Sequence, residues 1–524
     1  MTARPYRHNR IAATGLLVAA ALLAAGCGSG QPAPSASAFA GATPPSGSSP
    51  YPNGDLANTR DAAASVISSA NVSRVKEAWT FQLTGQAATS LEYAGSLAAA
   101  PVVAGGVVYM QDLYCNVYAL SLATGKLEWE YQVNTPEKTG PGPDGVAVAD
   151  GVVYGDTPAT VFALSAATGT KIWTDSDLLS QGQGTFEIQP QAADGRVYLA
   201  SAYGSGPGGG VLMALRASDG KLLWKFNTVV GGEPGAAALG LGSGGAWETP
   251  LVGSDGSVTF GIGNPYQSIG SAIAHPARQL YTDSEVNLDA ATGKLRWYYQ
   301  AVPNDFMDWD MQASPIAASA GGEPVIIGGG KMGYVYAMNA STGALLWKTP
   351  VGEHNGHDDD SLLLLEHKIA VKLPYTIAPG SLGGVLTNMA VADGSVYVAT
   401  IDLPIAFKSL NSVDGDASAG VPPTGEVEAL SLATGKVEWD TKVASMPLGA
   451  ATVANDLVFT TLYNGTLLAL NRTTGAIVYS HRLPATTNAP IAVAGNAVIV
   501  PAGAPTSSSG GSGGKPQVVA YTVP

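Results

Sequence analysis

A short phrase recurs seven times along the chain and constrains its fold more than any other sequence feature. Each copy has an apolar strand that ends in Ala-Leu or a variant of it, a Thr-Gly or Asp-Gly turn, and a second strand that ends in an aromatic residue. Trp79 lies in an eighth strand of this second kind, near the start. The aromatic residues that end the seven copies are Trp129, Trp173, Trp224, Trp297, Trp347, Trp439 and Tyr479.

The turn and the aromatic residue each have a physical role in this repeat. Glycine at the second turn position accepts a positive φ, and the preceding Thr or Asp can hydrogen-bond the local backbone. A tryptophan is large enough to fill the gap between neighbouring sheets. Because one unit cannot bury its own face, the units must stack, and eight of them arranged radially form an all-β, eight-bladed β-propeller. We expect the strand of Trp79 to pair with the last strand, residues 516–522, and so to close the ring; an open β-solenoid is the alternative.

Composition narrows the classes of function. The 524 residues include 40 acidic and 26 basic side chains, which gives a net charge of −14. This balance argues against a nucleic-acid surface, because such a surface needs clustered Lys and Arg to displace the counterions of the phosphates. The composition also argues against disorder throughout the chain, since 46% of the residues are hydrophobic and 21 Tyr and 9 Trp need burial.

The N-terminus has the pattern of a bacterial export signal. Three arginines precede an apolar run over residues 11–25, and small residues then lead to Cys27. The run is too short for a membrane-spanning helix, which needs about 20 residues. A cysteine after small residues resembles the lipoprotein box, in which the signal is cut before the cysteine and the cysteine carries the lipid. Plain secretion with an incidental cysteine is the alternative.

We therefore expect a lipid-anchored protein on the extracytoplasmic face of the cell membrane. Its only membrane contact would be the lipid on Cys27, and Cys115 would then stand alone, which excludes a disulfide framework. The residues that follow Cys27 are mostly Gly, Ser, Pro and Ala, a composition typical of a flexible tether. The predicted segments are a signal peptide over 1–26, the tether over 27–50 and the propeller over 51–524.

An ordered string of motifs runs from Trp247 to Lys331. The motifs are Gly-Gly-Ala-Trp at 244–247, Gly-Asn-Pro at 263–265, Leu-Tyr-Thr at 280–282, Asp-Trp-Asp at 308–310 and Lys-Met-Gly-Tyr at 331–334. A further stretch, Gly-Asp-Leu-Ala-Asn-Thr-Arg, occupies residues 54–60. Together with the repeat, these motifs resemble the quinoprotein dehydrogenases, enzymes that bind pyrroloquinoline quinone on an eight-bladed propeller. The likeness covers nearly all of residues 51–524.

The resemblance implies roles for three residues. The tryptophan at the position of Trp247 stacks under the planar quinone. The asparagine at Asn264 offers a carbonyl oxygen to a calcium ion, a hard cation that prefers such ligands. The Lys or Arg at Lys331 hydrogen-bonds the quinone oxygens and stabilises negative charge as a hydride arrives. Interpreted without the resemblance, Trp247 would be a core residue, Asn264 a turn residue and Lys331 an exposed charged residue.

The chain departs from the family where catalysis is expected. The catalytic aspartate that the family keeps before Leu-Tyr-Thr is Arg278 here, and a guanidinium cannot accept an alcohol proton near neutral pH. By spacing, Ser205 replaces the calcium-binding glutamate, and its hydroxyl is a poor substitute for a carboxylate. Asp283 and Glu285 lie nearby in sequence and could substitute for the base. Glu92 is the nearest carboxylate to the position near Ala98 where the family has a glutamate close to the quinone.

Residues 353–360 concentrate two histidines and several carboxylates in one segment. His354 and His357 have a loop spacing that suits a metal site, provided that the side chains converge. The alternative is a solvated acidic loop between two blades.

Two classes of function remain open. The first is a quinoprotein-like oxidoreductase that moves a hydride from an alcohol, aldehyde or sugar to pyrroloquinoline quinone, with calcium as a second cofactor. The second is a non-catalytic propeller, similar to the assembly lipoproteins of the bacterial envelope, that binds proteins or glycans. The string from Trp247 to Lys331 favours the first class, whereas the missing aspartate and glutamate favour the second.

Overall fold

Eight antiparallel sheets surround a central axis, and this arrangement confirms the eight-bladed propeller that the repeat predicts. In each blade the middle strands are buried, because they are covered by a neighbouring blade on both faces. The last strand is more exposed: in the Leu127–Tyr131 strand only Trp129 is buried, after two exposed residues and before two half-buried ones. The computed structural model describes residues 47–84, 96–133, 144–205, 209–230, 243–413, 415–417, 422–503 and 515–524.

The first four blades follow the N-terminal strand β1 (Lys76–Gln82) along the chain. Blade 1 consists of β2 (Val102–Ala104), β3 (Val107–Gln111), β4 (Val117–Ser121) and β5 (Leu127–Tyr131). Blade 2 consists of β6 (Ala147–Ala149), β7 (Val152–Thr157), β8 (Thr160–Ser165) and β9 (Lys171–Asp175). Blade 3 consists of a short β10 (Thr185–Phe186), β11 (Gln191–Ala193), β12 (Arg196–Ala202), β13 (Val211–Arg216) and β14 (Leu222–Asn227). Blade 4 consists of β15 (Leu251–Val252), β16 (Ser257–Gly261), β17 (Ser284–Asp289) and β18 (Leu295–Gln300).

The remaining blades include one that takes strands from both ends of the propeller. Blade 5 consists of β19 (Ile316–Ala320), β20 (Glu323–Gly330), β21 (Tyr334–Asn339) and β22 (Leu345–Pro350). Blade 6 consists of β24 (Ala390–Ala392), β25 (Ser395–Asp402), β28 (Thr424–Ser431) and β29 (Val437–Val443). Blade 7 consists of β30 (Thr452–Ala454), β31 (Leu457–Leu462), β32 (Thr466–Asn471) and β33 (Ile477–Arg482). Blade 8 consists of β34 (Ala492–Ala494), β35 (Ala497–Ala502), β36 (Gln517–Thr522) and β1.

A few elements lie outside the blades. A small sheet is formed by β23 (Tyr375–Ile377), β26 (Ile405–Phe407) and β27 (Asp416–Ala417). Among the described residues, the helices are a 3-10 turn (Val72–Arg74), α1 (Ile269–Ala274) and α2 (Asp360–Leu365). Within the described residues, no helix combines the length and the apolar composition needed to cross a bilayer.

Strand pairing between the two ends of the propeller closes the ring. β1 pairs with β36 in antiparallel register, and Trp79 lies opposite Ala520. The expected closure is therefore confirmed, and the open solenoid is excluded.

The repeat tryptophans join each blade to the next. Trp224 of blade 3 donates its indole Nε1–H to the carbonyl of Ala290 in blade 4 at 3.0 Å. Its ring also packs on Gly293 of that blade, so closely that a Cβ on the glycine would lie 2.6 Å from Trp224 Cδ2. The turn glycine is thus required twice, for its φ of +67° and for this contact. The other tryptophans that donate to the following blade are Trp79, Trp129, Trp173, Trp297, Trp347 and Trp439.

An N-terminal segment, residues 49–62, runs across one end of the axis. The first strands of neighbouring blades contact one another, so these strands line the axis. The segment hydrogen-bonds to the first strand of four blades, through the backbone pairs Ser49–Val103, Ala57–Ala317, Thr59–Val391 and Ala62–Val453. Arg60 adds side-chain bonds to the carbonyls of Ala451 and Ile491, each at 2.8 Å. The segment therefore closes this end of the channel and ties several blades together.

Candidate functional site

A cavity of about 200 Å³ lies on the propeller axis, beside the N-terminal segment. Its walls come from residues that precede the first strands of the blades or follow their second strands. One wall is polar and aromatic and includes Glu187, Tyr203, Trp247, Tyr266 and Lys331. The opposite wall is apolar and includes Leu382, Leu386, Met446, Leu448 and Pro490. The cavity thus offers a charged end and an apolar end to one ligand.

Trp247 is half-buried in the polar wall, just before β15. Its position depends on Gly263, because a Cβ there would lie 2.7 Å from Trp247 Cη2 and 2.8 Å from Asp310 Oδ1. The tryptophan is therefore part of the cavity wall. A residue that stacks against a planar ligand needs such a position.

Lys331 carries a buried positive charge in the same wall. It follows β20, is 7% exposed, and forms ion pairs with Asp308 Oδ2 at 3.0 Å and Asp310 Oδ2 at 2.5 Å. Burial disfavours the ammonium, but the two carboxylates outweigh burial and raise the pKa of Lys331 above its ordinary value. Lys331 is therefore a permanent cation at the cavity.

Asn264 supports this ion cluster from below the cavity. Its backbone N–H donates to Asp310 Oδ1 at 2.6 Å, and its side-chain amide donates to Asp308 Oδ1. Its own Oδ1 accepts the N–H of Tyr266 at 3.1 Å. Asn264 is 1% exposed, and its contacts fix the two aspartates that hold Lys331.

The side chains that would have to hold calcium do not fit that ion. Ser205 is exposed, with its backbone N–H on the carbonyl of Gly182 at 2.8 Å, and it does not line the cavity. The Asn264 carbonyl oxygen is already bonded, and Asp308 and Asp310 face Lys331 instead of an empty space. Calcium prefers six to eight oxygen ligands, and Ser205 and Asn264, the two positions considered for it, do not supply such a set.

The residues considered for the missing base lie elsewhere. Arg278 is exposed and donates to Gln300 Oε1 at 3.3 Å, so it does not face the cavity. Asp283 and Glu285 are fully buried, and burial raises the pKa of both carboxyl groups well above the usual range. Neither carboxyl lines the cavity, so neither is placed to take a proton from a ligand there. Glu92 lies outside the described residues, as do the predicted signal peptide and Cys27.

Two carboxylates that the sequence does not single out line the cavity. Glu248 follows Trp247 and is half-buried, and its Oε2 accepts a hydrogen bond from Asn388 Nδ2 at 2.8 Å. Glu187 lies just after β10, is 3% exposed, and accepts from Thr185 Oγ1 at 3.1 Å. The adjacency to Trp247 could have drawn attention to Glu248, whereas no local pattern marks Glu187.

The histidines of residues 353–360 do not converge on a metal. His354 pairs with Asp358, while His357 Nδ1 lies 2.8 Å from Asp360 Oδ2. In the described part of the chain, the only three acidic, His or Cys residues whose ligand atoms cluster are Glu426, Glu428 and Asp440 of blade 6. The segment 353–360 is therefore a set of separate pairs between blades.

Comparison with known proteins places the chain beside quinone-dependent enzymes. The family model of the glucose/ethanol/alcohol dehydrogenase β-propeller domain matches residues 50–148 and 194–355. The family model of the outer membrane protein assembly factor BamB matches residues 137–244 and 423–522. Both models therefore match parts of the propeller, and the site residues from Trp247 to Lys331 fall within the dehydrogenase match.

Individual relatives point the same way. The quinoprotein alcohol dehydrogenase PedH of Pseudomonas putida is 25% identical over 469 residues, which are 78% of this chain and 77% of that protein. The quinohemoprotein alcohol dehydrogenase of Comamonas testosteroni is 27% identical over 344 residues, 58% of this chain but only 47% of that protein. A crystal structure of the Comamonas testosteroni enzyme superposes with a TM-score of 0.74 at 21% identity and covers 91% of this chain and 80% of that chain. The chain is therefore an eight-bladed β-propeller similar to those of the quinoprotein alcohol dehydrogenases, as the resemblance in its sequence predicts.

Proposed function

We propose that this protein binds pyrroloquinoline quinone in the axial cavity and uses it to oxidise an alcohol. The observation that carries the proposal is the pairing of Trp247 and the buried cation Lys331 on one wall. An aromatic face suits a flat quinone ring, and a fixed cation suits its oxygens and carboxylates. When bound, the quinone supplies a two-electron acceptor for a hydride. Alcohols are the substrates in the names of the relatives, and the apolar wall would receive the carbon chain of such a substrate.

Different residues of the chain would have different roles in binding the quinone. Trp247 would hold the ring plane, and Lys331 would stabilise negative charge that develops on the quinone oxygens. Asn264, Asp308 and Asp310 would keep Lys331 in place, since they hold its ammonium from below. Ser205 and Asn264, the two positions considered for calcium, are not arranged to hold it, so we expect quinone binding that does not depend on calcium.

A quinone titration tests this proposal. The purified protein should bind pyrroloquinoline quinone with quenching of tryptophan fluorescence, equally in the presence of calcium and of a chelator. Trp247→Ala should weaken binding at least about tenfold, or about 1.4 kcal/mol, because the stacking face is lost. Trp247→Phe keeps an aromatic face and should retain most of the affinity in calorimetry. Binding that is absent in the wild-type protein would favour the non-catalytic scaffold, which the match to the assembly-factor family keeps as the alternative.

We further propose that the protein is anchored by lipid at Cys27 on the extracytoplasmic face of the cell membrane. The basic, apolar and small-residue pattern of residues 1–26 supports this location. Cys27→Ser should remove the lipid, so the protein should either pass into the soluble fraction or keep its signal uncleaved. Two or more acyl chains hold a protein stably, whereas one holds it weakly. Fractionation and mass measurement of the mature N-terminus decide the matter: a cleaved Cys27→Ser protein that stays with membranes would contradict lipid anchoring.

A further inference from the structure

Three acidic side chains of blade 6 bring their carboxylates together on one face of the sheet. Glu426 and Glu428 lie on β28 and Asp440 lies on β29, where it is directly opposite Glu428. One carboxylate oxygen from each residue lies within 4.8 Å of the others. Two ligands of one calcium ion can be no more than about 5 Å apart, because each lies about 2.3–2.6 Å from the ion. The three oxygens therefore fit into the coordination shell of one divalent cation.

The group faces the interface between blades 5 and 6. Val398 of β25 lies opposite Glu428 and packs in the hydrophobic core between the two blades. Glu428 itself accepts the N–H of Gly352, which follows the last strand of blade 5, at 2.8 Å. Glu426 and Asp440 point to the same side, because strand side chains alternate and paired residues share a face. The carboxylates therefore form a polar layer that continues the apolar core between the blades.

Thr400 adds a buried hydroxyl that has no hydrogen-bond partner among the described residues. It is two residues after Val398 on β25, so it points into the same layer, and it lies directly opposite Glu426. Its exposed fraction is 0%, and its Oγ1 is unpartnered. Its methyl carbon lies against Gly352, since a Cβ on that glycine would be 2.5 Å from Thr400 Cγ2. The hydroxyl is thus directed into the layer that contains Glu426, and a buried hydroxyl in such a place indicates a ligand, because leaving it unpaired costs free energy.

The charges around the group are out of balance. Lys442 pairs with Glu426 and lies 3.9 Å from Asp440 Oδ2, and it is the one described cation that forms ion pairs with these carboxylates. Burial, and then the charges of Asp440 and Asp402, raise the pKa of Glu428 to about 7. An added cation would favour the ionised carboxylates. The Lys442 side chain is 63% exposed, so its ammonium can move into solvent and leave its place to another cation.

We propose that Glu426, Glu428, Asp440 and Thr400 form a binding site for a divalent cation of the calcium type, separate from the axial cavity. Calcium prefers oxygen ligands and accepts flexible arrangements of six to eight of them. The three carboxylates and the hydroxyl supply four kinds of ligand, and water completes the set from the exposed side of Asp440. The bound ion joins β28 to β29 and fixes Glu428, which holds the backbone of blade 5 through Gly352.

A calcium titration of the purified, whole protein tests the site. In calorimetry the wild-type protein should bind calcium with a dissociation constant of about 10⁻⁴ M, as extracellular calcium modules do. Asp440→Asn keeps an oxygen but loses the charge, so it should weaken binding at least about tenfold. Asp440 is exposed, and the variant should therefore fold normally. Lys442→Met should strengthen binding about tenfold, because it removes a positive charge that competes for the same oxygens.

Glu438→Gln is the matched control for Asp440→Asn. Glu438 lies on β29, two residues before Asp440, and is likewise exposed. Its Oε2 accepts the hydroxyl of Ser395 at 2.7 Å, and it does not belong to the group. The control changes the net charge of the same strand by the same amount, so it should bind calcium as tightly as the wild-type protein.

Thr400→Val tests the buried hydroxyl by two measurements. Valine keeps the volume of the side chain but offers no oxygen, so calcium binding should weaken about fivefold. Without calcium, this variant should be at least as stable as the wild-type protein, because the hydroxyl that it removes has no partner. With calcium, the midpoint of thermal unfolding should rise more in the wild-type protein than in the variant, since an ion that binds only the folded protein stabilises it.

Four results would overturn this inference. A wild-type protein that binds no calcium in a millimolar titration has no such site. Equal affinity in the wild-type protein and Asp440→Asn would place the ion elsewhere, and equal weakening in Asp440→Asn and Glu438→Gln would reduce the effect to net charge. A loss of stability in Thr400→Val without calcium would mean that the hydroxyl serves the fold and not an ion. None of these measurements involves the quinone, so the proposed function is tested separately.

Discussion

Lys331→Met should lower the free energy of unfolding by about 3–5 kcal/mol, because it leaves two buried carboxylates without their counter-ion. Asp308 and Asp310 lie 3.0 Å and 2.5 Å from the ammonium in the folded protein. Methionine fills a similar volume but carries no charge, so the two aspartates must either repel each other or take up protons. Denaturant unfolding followed by circular dichroism measures the loss.

Lys348→Met is the control for this prediction. Lys348 is exposed and lies 4.9 Å from the ring centroid of Tyr334, a cation–π contact that is worth about 0.5–1 kcal/mol at an exposed site. The same change should therefore cost at most about 1 kcal/mol here. Equal losses in the two variants would mean that the ion cluster at Lys331 contributes no more than an exposed lysine. Lys331→Met should also abolish quinone binding, whereas Lys348→Met should leave it intact.

Gly293→Ala should destabilise the protein by about 2–5 kcal/mol, which combines two separate costs. The positive φ of +67° is unfavourable for alanine by roughly 1–2 kcal/mol. The new Cβ would also lie 2.6 Å from Trp224 Cδ2, and moving a packed ring costs about 1–3 kcal/mol. The Trp224 ring, which packs between blades 3 and 4, would have to shift.

Gly195→Ala isolates the backbone part of that loss. Gly195 has a φ of +70°, in the turn between β11 and β12, and a Cβ there would meet nothing within 4 Å. This variant should lose only about 1–2 kcal/mol. The difference between the two unfolding midpoints measures the contact with the tryptophan, and indistinguishable midpoints would show that the ring yields freely.

The repeat was enough to predict the propeller, because its physical causes are local. A turn glycine, an apolar strand and a large aromatic residue recur at each blade, and each can be recognised within a few residues. The sequence assigned Gly293 its positive φ, but not its contact with Trp224, since that contact joins two blades. The sequence of one repeat does not show how its residues pack against a different blade.

The candidate site was predictable only in part, for the same reason. Trp247 and Lys331 were found through an ordered string of motifs, and the structure places both on one cavity wall. Asn264 does not line the cavity, and its side-chain amide binds Asp308 instead. Counting residues to Arg278 and Ser205 gave their positions in the chain, but both residues are exposed and neither lines the cavity. Glu187 reaches the cavity from another blade, which no single motif could indicate.

The closure of blade 8 has a consequence for the order of events in biosynthesis. β1 leaves the ribosome among the first strands, yet its partner β36 comes from residues 517–522. Until those residues emerge, β1 has an unpaired edge and the ring stays open at one seam, a state that is prone to wrong pairing. Blades 1–7 can form in turn as the chain grows, but the ring closes only when β36 pairs with β1. A chain that stops short of residue 517 would therefore lose the closed ring, and with it the cavity on the axis.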